Sequence, residues 1–135
     1  MRTVHVTPPS FPSVPPDQPL APRDRQTWQV LCGDEAHWRL GFYSPAESSR
    51  DAIRELETHD CPELFLLQRG ELTLVLNDGG QIRELPLSPG RPVLVTAAHA
   101  GYCPRGPHTG IALVVERDRF TTCYHDLAEL QPGGD

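Results

Sequence analysis

Three side chains that can bind a metal ion or exchange a proton stand close together near the middle of the chain. Glu57, His59 and Glu63 lie within the segment ELETHDCPELFLLQRGELTLVL, residues 55–76, where a polar stretch runs directly into apolar sequence. An ionised group is costly to bury alone, so such a cluster requires a partner. That partner could be water, other side chains or a metal ion.

The spacing of these residues brings their side chains to one face. Residues two apart on a β-strand project to the same side, so Glu57 and His59 would lie about 7 Å apart along a strand. Glu63 opens the next apolar segment after a bend at Cys61-Pro62. Carboxylate oxygen together with imidazole nitrogen suits Fe(II), Mn(II), Ni(II) or Zn(II) better than copper(I).

Short strands are the elements that must position this cluster. Turn signals such as Asp78-Gly79-Gly80 separate them, and no long helix is predicted. Eight or nine strands at a spacing of roughly 8–12 residues are typical of an all-β sandwich or barrel. The predicted strands are 27–32, 37–43, 53–59, 63–69, 71–77, 81–87, 92–97 and 110–116, and the tail 119–130 could be a last strand or a short helix.

The N-terminal region differs in composition from the rest of the chain. Residues 1–25 hold seven of the fifteen prolines, and proline fixes φ and lacks an amide hydrogen, which excludes a helix there. We predict an extended Pro-rich arm over 1–25, disordered by itself or packed across a neighbouring subunit. A single domain over 26–130 would follow it.

Composition excludes several classes of function. The 135 residues carry a formal net charge of −6, which argues against a nucleic-acid partner, because such a partner needs a clustered basic surface. No apolar run approaches the roughly 20 residues of a membrane span, and the first residues lack the apolar core of a signal peptide. We therefore predict a cytoplasmic protein without a membrane partner.

The basic and thiol residues narrow the chemistry further. The sequence contains 12 arginines and no lysine. Lysine Schiff-base catalysis and a P-loop are therefore both excluded. The four cysteines form no C-x-x-C pair, so no zinc ribbon or thioredoxin-like site is indicated. In the cytoplasm we expect four free thiols.

The central segment resembles the first signature motif of the cupin superfamily, which runs G-x5-H-x-H-x3,4-E-x6-G. His59, Glu63 and Gly70 fit the H-x3-E-x6-G spacing. Glu57 stands where the family usually has its first His, and Asp51 stands at the leading Gly. The resemblance extends over roughly residues 35–118.

The second cupin motif, G-x5-P-x-G-x2-H-x3-N, aligns with the stretch 89–110. Counting strictly from Gly90 puts Gly101 at the position of the His. A shift of one residue would put Tyr102 there, and a loop two residues shorter would put His99 there. The resemblance thus implies the metal ligands Glu57, His59, Glu63 and His99.

The resemblance implies a small single-domain jelly-roll β-barrel of the RmlC-like type that forms a homodimer. It implies a divalent metal ion (Fe, Mn, Ni or Zn) in the barrel and a small polar metabolite as ligand or substrate. An isomerase, dioxygenase or lyase activity would follow, with Tyr102 or His108 as a possible acid or base.

Two other functions stay open at this point. The chain could be a sensing cupin that binds a small organic ligand without metal or catalysis, or a structural protein with a vestigial pocket. The cluster of Glu57, His59 and Glu63 would then be a hydrogen-bonded group, with Arg54 or Arg69 as the counter-charge.

Overall fold

The computed structural model describes residues 1–130 of the chain, and the regular secondary structure of this part is almost entirely β-strand. Apart from the strands it contains one 3-10 turn, Arg50–Ala52, and one short helix, α1, Leu127–Leu130. The strands are β1 (Arg2–Val6), β2 (Trp28–Asp34), β3 (Trp38–Tyr43), β4 (Glu55–His59), β5 (Glu63–Arg69), β6 (Thr73–Asp78), β7 (Gln81–Pro86), β8 (Val93–Val95), β9 (Ala98–Tyr102), β10 (Ile111–Arg117) and β11 (Phe120–Asp126).

The strands form two antiparallel sheets that face each other. One sheet has the order β1-β11-β4-β9-β6-β7, and the other has the order β2-β3-β10-β5-β8. Within residues 1–130 no strand pairing joins one sheet to the other. The all-β prediction is confirmed, but the two sheets do not close into the predicted β-barrel, because the layers meet through side chains and not through backbone hydrogen bonds.

Most strand predictions agree closely with the structure. β5 has the predicted bounds, and β6 and β7 are joined by a two-residue turn in which Gly79 and Gly80 both have positive φ, as a type I′ hairpin requires. The tail, for which either a strand or a short helix was predicted, contains both, since strand β11 runs directly into α1. Two strands, β1 and β9, were not predicted.

The apolar core fills the space between the sheets at one end of the sandwich. The largest cluster of buried apolar side chains comes from facing strands and includes Phe65, Leu74 and Val114. A second cluster, including Leu56 and Val75, covers the outer face of the six-stranded sheet beneath α1. Inward and outward side chains therefore alternate along β4, β6 and β9. Among residues 1–130, no helix is both long and apolar enough to cross a lipid bilayer.

The N-terminal arm is attached to the sandwich of its own chain. Residues 2–6 form the edge strand β1 beside β11, and residues 7–27 contain no strand or helix. After β1 the arm is held at Asp118, a fully buried side chain in the turn between β10 and β11. Its carboxylate accepts hydrogen bonds from the Ser10 amide (2.7 Å), the Ser10 hydroxyl (2.5 Å) and the Ala36 amide (2.7 Å).

Asp118→Asn should destabilise the protein, because Asn keeps only one of the two acceptor oxygens, and at least one of the three donors then faces an amide nitrogen that cannot accept from it. We expect the free energy of unfolding to fall by about 1–3 kcal/mol, as measured by urea denaturation. Asp78→Asn is the matched control, since Asp78 is exposed and pairs only with the exposed Arg83. Its effect should stay within about 0.5 kcal/mol. Equal effects of the two substitutions would contradict the role given to Asp118.

Candidate metal centre

A partly enclosed cavity lies between the two sheets, beside the apolar core. Its volume is about 130 Å³. Side chains from β1, β2, β3, β4, β5, β9, β10 and β11 line it, so both sheets contribute to its walls. We call this space the inter-sheet cavity.

Four side chains that can ligate a metal converge at this cavity. Glu57 and His59 come from β4, and His99 comes from the neighbouring β9, where it stands in register with Glu57. Glu63 comes from β5 in the opposite sheet. One ligand atom from each of the four lies within 4.8 Å of the others. The structure therefore brings together all four residues expected as metal ligands.

The closest contacts centre on Glu63. Its Oε1 lies 2.5 Å from His59 Nε2 and 3.0 Å from His99 Nε2. Glu57 Oε1 is more distant, at 3.5 Å from each of the same two nitrogen atoms. The side chains of His59, Glu63 and His99 are only 5–6% exposed, whereas that of Glu57 is 32% exposed. Glu57 thus stands at the more open side of the cluster.

The outer nitrogen of each imidazole is fixed by a hydrogen bond. His99 Nδ1 lies 2.9 Å from the Ala97 carbonyl oxygen, and because a carbonyl only accepts, Nδ1 must carry the proton. His59 Nδ1 lies 2.8 Å from the hydroxyl of Thr122. Both rings therefore turn Nε2 towards the cluster, and neutral His99 has its lone pair there. A second hydrogen bond of this kind is the usual support of a metal-bound histidine.

Three buried atoms of the cluster have polar partners only inside the cluster. His59 Nε2, Glu63 Oε1 and His99 Nε2 approach one another, and within the described part of the chain none of them has a hydrogen-bond partner outside the cluster. With neutral imidazoles these atoms would face each other as acceptors, so either protons or a cation must lie between them. A divalent cation between them would accept electron pairs from all three. The donor set therefore fits a metal ion.

Without a metal, protons on the two histidines neutralise the charge of the two carboxylates in the cluster. Burial alone would raise the pKa of Glu57, but hydrogen bonds and charge from His59 and His99 outweigh it and lower that pKa to about 2. The same balance holds the pKa of Glu63 far below its usual value. Burial alone would lower the pKa values of the two histidines, but the carboxylates raise that of His59 to about 9 and that of His99 to about 10. The metal-free cluster is thus two imidazolium–carboxylate pairs.

A buried ion pair, which the sequence did not suggest, lies beside the cluster. Arg39 donates from Nε to Glu116 Oε2 at 2.7 Å, and its Nη2 lies 2.6 Å from the same oxygen. Burial and the negative charge of Glu63 raise the pKa of Glu116, and the Arg39 guanidinium opposes this rise. Arg39 is the arginine that lines the inter-sheet cavity among residues 1–130. Neither Arg54 nor Arg69 lines it.

Two tyrosines line the cavity, and neither is the tyrosine expected from the sequence. Burial, reinforced by the charge of Glu57, raises the pKa of Tyr43 well above its usual value. Burial and Glu57 also raise the pKa of Tyr124. Both phenols consequently keep their protons at neutral pH. Alternation along β3 could have placed Tyr43 on the same face as Arg39, but only with the inward face of that strand known.

The expected acid or base residues, Tyr102 and His108, lie elsewhere. Tyr102 is three residues beyond His99 on β9, so it projects to the outer face of the sheet, where its hydroxyl donates to Glu84. His108 lies in a turn with φ of 60°, and its Nδ1 donates to the Ser44 carbonyl at 2.7 Å. Neither lines the inter-sheet cavity. The structure does not bring either one to the four candidate ligands.

All four cysteines are free thiols, and none belongs to the candidate ligand set. Cys61 and Cys103 are buried, and Cys32 and Cys123 are partly buried.

Comparison with solved structures places this arrangement in a known fold. An RmlC-like cupin family protein with a double-stranded β-helix fold from Methanocaldococcus jannaschii superimposes with a TM-score of 0.51 at 15% identity, covering 77% of this chain and 93% of that one. The chain has the cupin fold. A cupin-2 domain containing protein from Shewanella frigidimarina gives a TM-score of 0.51 at 12% identity, covering 70% of this chain and 83% of that one. No family model and no curated protein matches the sequence.

A larger protein with the same fold is crystallised with metal ions. Co(II) HppE in complex with substrate gives a TM-score of 0.56 at 14% identity, covering 84% of this chain. Our chain spans only 61% of that HppE chain. Fe(II) HppE superimposes with the same TM-score. At these identities the likeness extends to the cupin fold alone.

The metal-free protein should be most stable in a defined pH window. The raised pKa values of His59 and His99 contribute stability that is complete below their ordinary value of 6.5 and is lost as the pH rises through about 9 to 10. The lowered pKa of Glu57 contributes stability that is present above 4.5 and lost as the pH falls towards about 2. We expect the free energy of unfolding to be greatest between pH 4.5 and 6.5, as measured by urea denaturation of chelator-treated protein.

The double variant His59→Ala/His99→Ala is the control for this pH dependence. It should lose the decline in stability on the alkaline side, because no raised imidazole pKa remains. An unchanged alkaline decline in the variant would show that other groups cause it.

Proposed function

We propose that the chain is a metal-dependent cupin enzyme, an isomerase, dioxygenase or lyase, that holds one Fe, Mn, Ni or Zn ion through four ligands. The ligands would be Glu57, His59, Glu63 and His99, and the substrate would be a small metabolite in the inter-sheet cavity. The supporting observation is the convergence of two buried imidazole Nε2 atoms on one buried carboxylate oxygen with no other partner. Such a donor set is preferred by these metals.

The bound ion would supply Lewis-acid chemistry, polarising an oxygen of the substrate. The chain's own residues would perform the remaining tasks. Four protein ligands would leave an Fe, Mn or Ni ion able to take up substrate, whereas zinc, which usually has four ligands in all, would need one of the carboxylates to give way to substrate. Phe65 and Phe120 make part of the cavity wall apolar, which limits access of water to the substrate.

The proton-carrying groups of the proposed reaction would be the two cavity tyrosines. Tyr43 and Tyr124 are protonated at neutral pH because burial raises their pKa values, so each can donate a hydrogen bond to a developing negative charge. Tyr102 and His108 have no part in this proposal, since neither reaches the cavity. Arg39 would orient the cluster indirectly, through Glu116 beside Glu63.

The second candidate function is a metal-free cupin that senses a small organic ligand. One observation favours it: His59 Nε2 and His99 Nε2 lie 2.5 and 3.0 Å from Glu63 Oε1, close enough for imidazolium and carboxylate groups to pair without a metal. Metal content distinguishes the two proposals. A homodimer and a cytoplasmic location stay predictions for either one.

Purified wild-type protein, prepared without chelator, should contain close to one equivalent of a divalent metal by elemental analysis. His59→Ala and His99→Ala should each lose most of it, because each removes a nitrogen ligand. His108→Ala and His125→Ala are matched controls that should retain the metal, since both residues lie outside the ligand set. Wild type that binds none of the four ions after incubation would contradict the enzyme proposal and favour the sensing cupin.

Thr122→Val should weaken metal binding while leaving all four ligands in place. The substitution removes the hydroxyl 2.8 Å from His59 Nδ1, and loss of such a support costs about 10–100-fold in metal affinity. Competition against a chromophoric chelator measures the change. Thr121→Val is the control, because the Thr121 hydroxyl contacts His5 at 3.1 Å instead. Equal affinities of the two variants would show that the contact does not orient His59.

A further inference from the structure

The N-terminal strand forms one wall of the inter-sheet cavity. Val4 and Val6 on β1 line the cavity, whereas Thr3 and His5 face away from it. Thr3 contacts Cys123 and His5 contacts Thr121 on the neighbouring strand. A segment outside the predicted domain thus supplies two apolar side chains to the candidate site.

Several contacts fix the position of this wall. At its beginning, the Arg2 guanidinium lies 4.1 Å from the centre of the Tyr124 ring, and Arg2 Nη2 lies 3.5 Å from a carboxylate oxygen of Glu55. All five residues of β1 pair in register with β11. Beyond the strand, Ser10 is held by its hydrogen bonds to the buried Asp118. The wall is therefore anchored at both ends.

The anchor beyond β1 connects to the cavity itself. Arg39 Nη1 donates to the Ser10 carbonyl at 3.1 Å, while the rest of its guanidinium pairs with Glu116. Phe11 packs against Gly33, where an added Cβ would come within 2.5 Å of the Phe11 ring. A larger residue at position 33 would therefore displace Phe11 and would also clash with the Trp38 carbonyl oxygen, 2.5 Å from the added Cβ.

The size and lining of the cavity limit what it can hold. A cavity of roughly 150 Å³ accommodates benzene in a protein interior, so about 130 Å³ admits a ligand of similar bulk. Apolar walls from Val114, Phe120 and β1 suit a hydrocarbon portion. Arg39 is occupied by protein acceptors and is not free to bind a second anionic group. The bound molecule can therefore have one polar group, which would lie at the four candidate metal ligands.

We propose that Val4 and Val6 determine substrate size, and that the substrate is a compact, partly apolar molecule of about six non-hydrogen atoms with one metal-binding oxygen group. This inference rests on the proposed function, because the oxygen group needs the metal. It assigns the arm a direct part in selecting the substrate.

The test uses full-length Co(II)-loaded protein and two hydroxamate probes that share one metal-binding head. Acetohydroxamate has a methyl group and benzohydroxamate a phenyl group, and visible absorption titration gives each Kd. Wild type should bind acetohydroxamate at least about 10-fold more tightly than benzohydroxamate, given what a few methylene-sized groups are worth in a fixed apolar pocket. Val4→Ala/Val6→Ala should reduce this preference about 10-fold or more.

Two further variants make the test specific. Thr3→Ala, on the opposite face of the same strand, should keep the wild-type preference. Val6→Trp should lose binding of both probes while retaining one equivalent of Co(II), because the indole would fill the cavity. If circular dichroism shows that Val6→Trp is unfolded, the probe preferences of Val4→Ala/Val6→Ala and Thr3→Ala still test whether the wall selects by size.

The outcomes separate this inference from the proposed function. Wild type that loads Co(II) but shows the same probe preference as Val4→Ala/Val6→Ala would overturn the role of the wall alone. Wild type that binds neither Co(II) nor any of Fe, Mn, Ni and Zn would overturn the proposed metal enzyme and this inference with it.

Discussion

The structure depends on one buried contact between the two sheets, in which the Glu63 carboxylate meets the Nε2 atoms of His59 and His99. Glu63 comes from one sheet and both histidines from the other, so the contact exists only when the sheets face each other correctly. A one-residue slip of any of the three strands would turn its ligand away from the cavity. The apolar core beside the cavity supplies the packing that fixes this alignment.

Hydrogen bonds and an ion pair around this contact hold Glu63, His59 and His99 in position. Hydrogen bonds at the outer nitrogen of each imidazole aim both rings inward. The ion pair of Arg39 and Glu116 lies behind Glu63 and continues to the Ser10 carbonyl of the arm. A Pro-rich segment that resembled a loose extension is thereby connected, through buried polar groups, to the candidate metal centre. Its first strand also covers the cavity.

The sequence predicted the parts that depend on local pattern. Strand alternation placed Glu57 beside His59, and the H-x3-E-x6-G spacing added Glu63. His99 could not be chosen over Tyr102, because the length of the loop before β9 decides which of them faces inward. The β9 segment, rich in Ala and Gly, has little β-propensity of its own and forms through pairing with β4 and β6. Arg39 was missed because a lone charge on a strand usually faces solvent.

The central claim is tested most directly by a crystal structure of the protein soaked with Co(II), using anomalous scattering at the cobalt edge. The account predicts one strong anomalous peak in the inter-sheet cavity, about 2.0–2.2 Å from His59 Nε2, His99 Nε2 and a Glu63 oxygen. A cavity without an anomalous peak, with direct hydrogen bonds between the imidazoles and Glu63, would contradict it.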